Sequence, residues 1–328
     1  MSEKIRTVLG DIEASIPGIC QCHEHLFVEM DKSYEVSKVL YMDDLEKSTA
    51  ELADYRAAGG SLIVDAQPVL AGRMAENLVR ASQMSGVHIV ASTGFHKAIF
   101  YYDDAYIFHK GEGYITDLYI EEIQNGMATS RKDGVHPLDA RAGIVKVAVD
   151  AGGIYADAVY EKLFSAAANA ALATGAPVMC HIEQGADALE AARFFMDRGV
   201  ATNRLILCHL DRARYDFGYH KEVLGAGVYL EYDTINRLKY LSNRQEIALI
   251  CAMQQAGFED RLLLSLDTTN QRLRTYGADM GLDYIIREFA PLLREAGVSE
   301  AGMLKMQSQN AREALKIKIK GESQGCRS

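Results

Sequence analysis

The sequence contains no apolar run long enough to cross a membrane, and its opening segment, MSEKIRTVLGDIEAS, lacks the apolar core of a secretion signal. Both absences predict a cytoplasmic protein without a membrane partner. Cysteines are few, with 6 among 328 residues. Four of them, Cys20, Cys22, Cys180 and Cys208, lie inside apolar strand-like runs, as buried thiols in a reducing compartment do.

The chain also has fewer basic than acidic residues, with a formal net charge of −10. An acidic chain offers no basic footprint for phosphates, so we expect no nucleic-acid partner. The pair Cys20 and Cys22 could bind a metal as thiolates. Its spacing is that of neither a zinc knuckle nor a redox pair, and we interpret both residues as buried thiols.

What the chain does have is a regular alternation of apolar strand-like runs and helical patterns. The predicted strands cover residues 16–20, 61–67, 87–93, 142–149, 176–182, 204–210, 228–233 and 262–267. An aromatic excursion over 95–137, part loop and part helix, interrupts the alternation after the third strand. No linker, repeat or low-complexity segment separates the units, so we expect a single domain over 1–328.

Strands that alternate with helices form right-handed βαβ units around a parallel sheet. Eight such units predict an α/β fold of the (β/α)8 TIM-barrel type, with functional residues at the C-terminal ends of the strands. A doubly wound open sheet is the alternative. It is disfavoured because no Gly-x-Gly-x-x-Gly motif opens any of the predicted helices.

The stretch Cys22-His23-Glu24-His25 stands at the end of the first predicted apolar run. Alternate side chains of a strand share a face, so His23 and His25 point the same way and Glu24 points the other way. Two imidazoles at a strand tip are a suitable pair of ligands for Zn²⁺. They could also be polar residues leaving a strand, and Glu24 is expected to serve the barrel wall.

Other strand ends carry further candidate donors. His181 and His209 end the fifth and sixth predicted strands, and Asp267 ends the eighth. Taken singly, each histidine could be a buried structural residue, and Asp267 could cap a helix. Asp211 could orient a ligand or cap a helix. In a closed barrel, however, all these strand ends face one crater.

Lys146 stands in the middle of the apolar run IVKVAV. A buried, unpaired lysine carries a heavy desolvation cost. Carbamylation by CO₂ would turn this cation into an anionic oxygen ligand able to bridge two metals. Four histidines, one aspartate and one bridging group form a sensible donor set for a binuclear centre.

In this order and on these strands, CHEH, GIVKVAVD, CHIEQG, CHLDR and SLDTT resemble the phosphotriesterase-like branch of the amidohydrolase superfamily. The resemblance runs from about Gly18 to the closing NAREAL. It implies that one metal is held by His23, His25 and Asp267 and the other by His181 and His209. Carbamylated Lys146 and a hydroxide would bridge the two ions, with Zn²⁺ expected first and Mn²⁺ or Co²⁺ able to share the ligands.

Such a centre would hydrolyse an ester-like bond. Two divalent ions make hydroxide available near neutral pH, and one ion polarises the electrophile. Asp267 can accept the proton of the bridging hydroxide and carry it to the leaving alkoxide. The resemblance also suggests a homodimer.

Basic residues follow the seventh and eighth predicted strands, where barrels often bind phosphate. They could be solvated loop charges or phosphate ligands. The segment YLEYDTINRLKY resembles the sugar-phosphate (phospho-furanose) lactonase subgroup. This resemblance implies substrate contacts first by Lys239, then by Arg274 and Tyr276, and further by Arg237 and Arg272. Two aromatic residues of the excursion, Tyr101 and Tyr102, could wall the pocket or polarise a carbonyl.

We therefore expect a metal-dependent lactonase that takes a phosphorylated sugar lactone as its small-molecule substrate. An acyl-homoserine-lactone and phosphotriester hydrolase of the same family is an alternative, although it needs an apolar channel that charged loops do not favour. A barrel that only binds metal or sugar phosphate is a third reading. The presence of Asp267 and Lys146 disfavours it, because pure binding needs no proton acceptor.

Overall fold

Eight parallel strands form the centre of the structure, a computed structural model that describes residues 3–129 and 137–318. They are β1 (Ile19–Glu24), β2 (Gly60–Asp65), β3 (His88–Gly94), β4 (Ile144–Val149), β5 (Val178–Ile182), β6 (Leu205–Cys208), β7 (Tyr229–Tyr232) and β8 (Leu262–Leu264). Each strand pairs in parallel with its neighbour in chain order. Helices follow the strands, which confirms the predicted (β/α)8 barrel.

The barrel closes between β1 and β8, largely through side chains. The hydroxyl of Ser265 accepts hydrogen bonds from the backbone N–H groups of Cys22 (2.8 Å) and His23 (3.0 Å). The carboxylate of Glu24 accepts from the N–H groups of Leu266 (2.8 Å) and Thr268 (3.2 Å). Glu24 therefore serves the barrel wall, as its position in the strand predicts.

Two buried apolar layers hold the barrel together. The inner layer includes Cys20, Cys22 and Cys208, while Cys180 faces the outer layer under the helices. All four thiols are buried, as the apolar runs around them predict. The first residues pair as an antiparallel ribbon, Glu3–Thr7 with Gly10–Glu13, that also pairs with Lys316–Lys318. This ribbon adds Ile5 to the inner layer.

The outer helices begin and end at residues that suit those positions. The longer ones are Leu45–Ala57, Ala75–Ser85, Glu112–Gln124, Ala158–Thr174, Ala188–Asp197, Phe217–Gly225, Asn243–Gln255 and the paired segments Ile285–Phe289 and Ala290–Glu295. Asp44 and Asp157 cap helix N-termini through their carboxylates. Gly86 and Gly175 end two helices in the left-handed conformation. None of the helices within the described ranges is long and apolar enough to span a membrane.

The aromatic excursion after β3 is folded against the barrel. It contains the short helix Tyr106–His109 and the helix Glu112–Gln124, in agreement with the predicted mixture of loop and helix. A buried ion pair at 2.6 Å between Arg73 and Glu122 fastens this helix to the loop after β2. Residues 130–136 of the predicted excursion lie outside the described residues.

Candidate metal centre

A cavity of about 550 Å³ lies over the C-terminal ends of the strands. His23 and His25 of the β1 end line it together with Asp267, which follows β8. Ligand atoms of these three residues all lie within 4.8 Å of one another. The two imidazoles face the same side, with ring centroids 5.7 Å apart. The structure thus brings the first predicted ligand group together.

The second predicted group adjoins the first. The rings of His181 and His209 lie 4.3 Å apart, and His209 is 4.7 Å from His23. The sequence predicts that the strands reach His209 and Asp267, but β6 ends at Cys208 and β8 at Leu264. Both residues adopt left-handed backbone conformations (φ 69° and 50°), which are costly for side chains with a Cβ. This bend out of the ladder turns their side chains into the crater.

Lys146 lies fully buried on β4, directly beside the imidazoles. Its Nζ is 3.1 Å from Nε2 of His23 and 3.6 Å from the sulfur of Met179. Within 3–129 and 137–318, no carboxylate lies within 4.0 Å of Nζ to balance its charge. A buried amine without an anion, in contact with His23 of the histidine cluster, suits conversion to a carbamate ligand.

Asp233, at the end of β7, is a buried residue that the sequence reasoning missed. Its Oδ1 lies 2.6 Å from Nδ1 of His209, and its Oδ2 lies 2.9 Å from Nδ1 of His23. The contact with His209 has hydrogen-bond geometry, whereas that with His23 is a close contact without it. One carboxylate thus touches a histidine of each predicted group, leaving both Nε2 atoms for the cavity. Its place at a strand end, like that of Asp267, is the signal that could have found it.

Within the described ranges, the carboxylate of Asp211 is hydrogen-bonded to Thr234 and to the backbone of Arg212, not to a predicted metal ligand. Its carboxylate accepts hydrogen bonds from the backbone N–H (2.7 Å) and hydroxyl (2.6 Å) of Thr234, so it ties the end of β6 to the end of β7. Burial raises the pKa of Asp211. The following helix is capped by Asp216 instead.

Two guanidinium groups hold the carboxylate of Asp267. Arg237 donates to Oδ2 at 2.8 Å, and Arg212 approaches the same oxygen at 3.4 Å. Burial alone would raise the pKa of Asp267, but Arg237 and the neighbouring histidines outweigh it and hold the pKa well below 3.8. Arg237 therefore reaches the site as predicted, although it is engaged by a protein carboxylate.

The cavity wall is richer in cations than in carboxylates. Five basic residues line it (Lys97, Arg212, Arg237, Lys239 and Arg272), against two acidic ones (Glu183 and Asp267). Arg272 is buried and donates to the backbone oxygens of Ile235 and Asn236. Lys239 is exposed and lies over the ring of Tyr240 at 4.6 Å. Among the residues described, no carboxylate pairs with Lys239.

Four of the predicted substrate contacts are not placed in the lining of this cavity. Arg274 pairs with Asp54 and Asp283, and Tyr276 binds the hydroxyl of Ser48 beside a separate hollow. The loop after β8 turns away after Arg272, because it continues into the 3-10 turn Arg274–Tyr276.

The two tyrosines of the excursion also lie off the cavity. Tyr101 is buried behind the wall, where its hydroxyl accepts a hydrogen bond from the backbone N–H of His96 at 3.1 Å. Tyr102 donates to Glu35 at 2.9 Å. The wall at this point is instead formed by His96 and Lys97.

Comparisons with known proteins define the class. The model of the phosphotriesterase family matches residues 3–315. A phospho-furanose lactonase from Mycoplasmopsis synoviae (strain 53) is 30% identical over 322 residues, which cover 94% of this chain and 91% of that protein. The crystal structure of an amidohydrolase from Mycoplasma synoviae superimposes with a TM-score of 0.90 at 28% identity, covering 98% of this chain and 94% of the other.

A lactonase from Listeria monocytogenes has a similar structure, with a TM-score of 0.87 at 28% identity and coverage of 96% of this chain and 100% of that one. The barrel and its donor cluster therefore define a hydrolase of a type that is typically metal-dependent. More narrowly, the chain belongs to the phosphotriesterase family. The predicted family membership is confirmed.

Proposed function

We propose that the protein is a metal-dependent lactonase that opens the ring of a phosphorylated sugar lactone. The observation that carries this proposal is the cavity wall, where five cations face two carboxylates in a protein with a net charge of −10. Such a local excess of positive charge suits an anionic substrate. The names of the relatives from Mycoplasmopsis synoviae and Listeria monocytogenes support ring opening of a lactone.

The donor set suits two divalent ions. In this proposal His23, His25 and Asp267 would hold one ion, His181 and His209 would hold the other, and Lys146, once carbamylated, would supply a carboxylate to both. Neutral imidazoles and carboxylates are ligands that Zn²⁺, Mn²⁺ and Co²⁺ share. When bound, the ions lower the pKa of water and polarise the carbonyl of the substrate.

The remaining chemistry belongs to side chains of this chain. Asp267 accepts the proton of the attacking water and passes it to the ring oxygen as that oxygen leaves the acyl carbon. Arg237, 2.8 Å from Oδ2, keeps Asp267 ionised and oriented for this transfer. Asp233 hydrogen-bonds Nδ1 of His209 and touches Nδ1 of His23, which leaves Nε2 of both rings available to the ions.

The phosphate is assigned to Lys239. Arg212 and Arg237 are engaged by Asp267, and Arg272 is engaged by backbone oxygens. Lys239 lines the cavity and is free to meet an anion, and charge-assisted hydrogen bonds of this kind contribute about 1.5–3 kcal/mol. Arg272, whose Nε has no hydrogen-bond partner among the described residues, adds positive potential behind it.

Paired substrates test this assignment. Protein reconstituted with Zn²⁺ is assayed on aldonolactones with and without a terminal phosphate. We expect Lys239→Met to lower kcat/KM for the phosphorylated lactone about 10- to 100-fold and to leave the plain lactone within about twofold, since only the charge-assisted contact is lost. The control is Lys221→Met, an exposed lysine on the helix Phe217–Gly225. Equal losses on both lactones would contradict the phosphate site.

One observation favours a second candidate. Leu40 and Phe100 line the cavity, and Leu238 is 72% exposed at its mouth, so an acyl chain has apolar surface to lie on. An acyl-homoserine lactone therefore belongs in the same substrate panel. Turnover of that lactone in preference to the phosphorylated sugar lactones would replace the leading proposal. The predicted homodimer is tested separately, by light scattering of the purified protein.

A further inference from the structure

His96 reaches the cavity because of a tight turn at the end of β3. Gly94 has φ 95°, and a Cβ there would lie 1.9 Å from the backbone oxygen of Lys146. The next residue, Phe95, donates its N–H to that same oxygen at 2.9 Å. Only a glycine allows β3 to approach β4 this closely, and the chain then turns His96 into the cavity wall.

The imidazole of His96 is held firmly in this place. Its backbone N–H donates to the hydroxyl of the buried Tyr101 at 3.1 Å, and its ring packs on Phe100 with centroids 4.3 Å apart. The neighbouring Lys97 forms an ion pair with Glu183 at 2.5 Å, which ties the loop after β3 to the loop after β5. His96 is therefore a preorganised part of the wall.

The hydrogen bonds of His96 determine which ring nitrogen carries the proton. The backbone N–H of Lys97 donates to Nδ1 at 2.7 Å, so Nδ1 must be bare and the hydrogen of the neutral ring is on Nε2. Across the described part of the chain, Nε2 has no hydrogen-bond partner of its own.

This free donor stands beside one half of the donor cluster. The ring of His96 lies 5.4 Å from that of His181. Asp267, the proposed proton acceptor, follows β8, three strands away around the barrel wall. A substrate carbon between these two sides would have the proton acceptor on one side and a neutral N–H donor on the other.

We propose that His96 donates a hydrogen bond from Nε2 to the carbonyl oxygen of the lactone and stabilises the negative charge that develops on it. This role rests on the proposed lactonase function. The water oxygen forms a bond to the carbonyl carbon, the bond from that carbon to the ring oxygen breaks, and the proton that Asp267 takes from water ends on the ring oxygen. The Nε2 proton stays on His96 throughout. A positioned donor of this kind is typically worth 10²- to 10³-fold in kcat.

Two substitutions separate the donor from the ring that carries it. His96→Phe keeps an aromatic ring against Phe100 but removes the donor, whereas His96→Gln keeps a neutral N–H. On the phosphorylated lactone we expect His96→Phe to lower kcat about 10²- to 10³-fold with KM within about threefold. His96→Gln should recover the rate to within about tenfold of wild type. His109→Phe, at an exposed histidine of the excursion, is the matched control.

Two further readouts show whether the loss arises at the carbonyl. Metal content, measured by plasma mass spectrometry, should be the same in His96→Phe and wild type. Nitrogen NMR of the wild-type protein should show His96 protonated at Nε2 and bare at Nδ1. An Nδ1-protonated ring, a kcat of His96→Phe within threefold of wild type, or a loss that follows missing metal would overturn the role of His96 alone. A wild type inactive on every lactone would overturn the proposed function, and this role with it.

Discussion

Replacement of Lys146 by methionine tests the candidate metal centre through its effect on thermal stability. The Lys146→Met side chain is similar in length and apolar, and it would meet Met179 and the rim of His23 where Nζ lies now. Removing a buried amine that lacks a carboxylate partner relieves a desolvation penalty of about 1–3 kcal/mol. We therefore expect the metal-free variant to be more stable than metal-free wild type.

The size of the chain converts this penalty into a melting shift. With about 2.1 cal/mol/K per residue, the 328 residues have an unfolding entropy of about 0.7 kcal/mol/K. A gain of 1–3 kcal/mol then raises Tm by roughly 1.5–4 °C. In the presence of Zn²⁺ the order should reverse, because the variant lacks the proposed bridging ligand and gains less stability from metal binding.

The assay is differential scanning calorimetry of chelator-treated and Zn²⁺-loaded protein, with metal content determined on the same samples. Lys221→Met, the same substitution at an exposed site, should move Tm by less than about 1 °C, as surface changes do. A lower Tm of metal-free Lys146→Met, or an unchanged metal content of the loaded variant, would refute the reasoning that this amine exists for the metals.

Two more predictions concern buried carboxyl groups. Asp233→Asn should weaken the binding of both ions, each by about 10- to 100-fold, because one carboxylate contacts a histidine of each group. Titration calorimetry measures both sites, and weakening of only one of them would show that the contact is not shared. Burial raises the pKa of Glu24 and Glu231 from 4.5 to about 8, so the native state keeps protons that the unfolded state has lost, and stability falls as pH rises through this window. Buried neutral histidines oppose this trend only below about pH 6.5, where they would be protonated in the unfolded chain. We therefore expect the free energy of unfolding of metal-free protein to fall by about 2 kcal/mol between pH 7 and 8. Glu231→Gln should abolish about half of that loss. Equal urea stability at both pH values would contradict it.

The barrel could be predicted because its signals are local. An apolar run such as IVKVAV, followed by a helical pattern and a glycine, describes one strand–helix unit without reference to any other. The residues at which the strands end were harder to predict. His209 and Asp267 leave the ladder in left-handed conformations, and nothing in the residue types around them announces such a bend.

The donor cluster could be predicted for a related reason, since the fold alone sends every strand end to one crater. The walls of the cavity depend on where the loops turn. Hydrophobic periodicity in the sequence does not predict these turns. Tyr101 and His96 are five residues apart on one loop, and only the turn at Gly94 decides which of them meets the cavity. Similarly, Arg272 lies at the wall and Arg274 does not, because Arg272 ends one 3-10 turn and Arg274 begins the next.

The seam between β1 and β8 has a consequence for how the protein is made. His23 and Asp267 come from opposite ends of the chain, and they are joined there by a hydrogen bond from the N–H of Asp267 to the oxygen of His23 at 3.0 Å. A ribosome has to deliver nearly the whole barrel before these two residues can meet. Incomplete chains therefore carry His23 and His25 without Asp267. The proposed three-residue metal site forms only once the last strand docks.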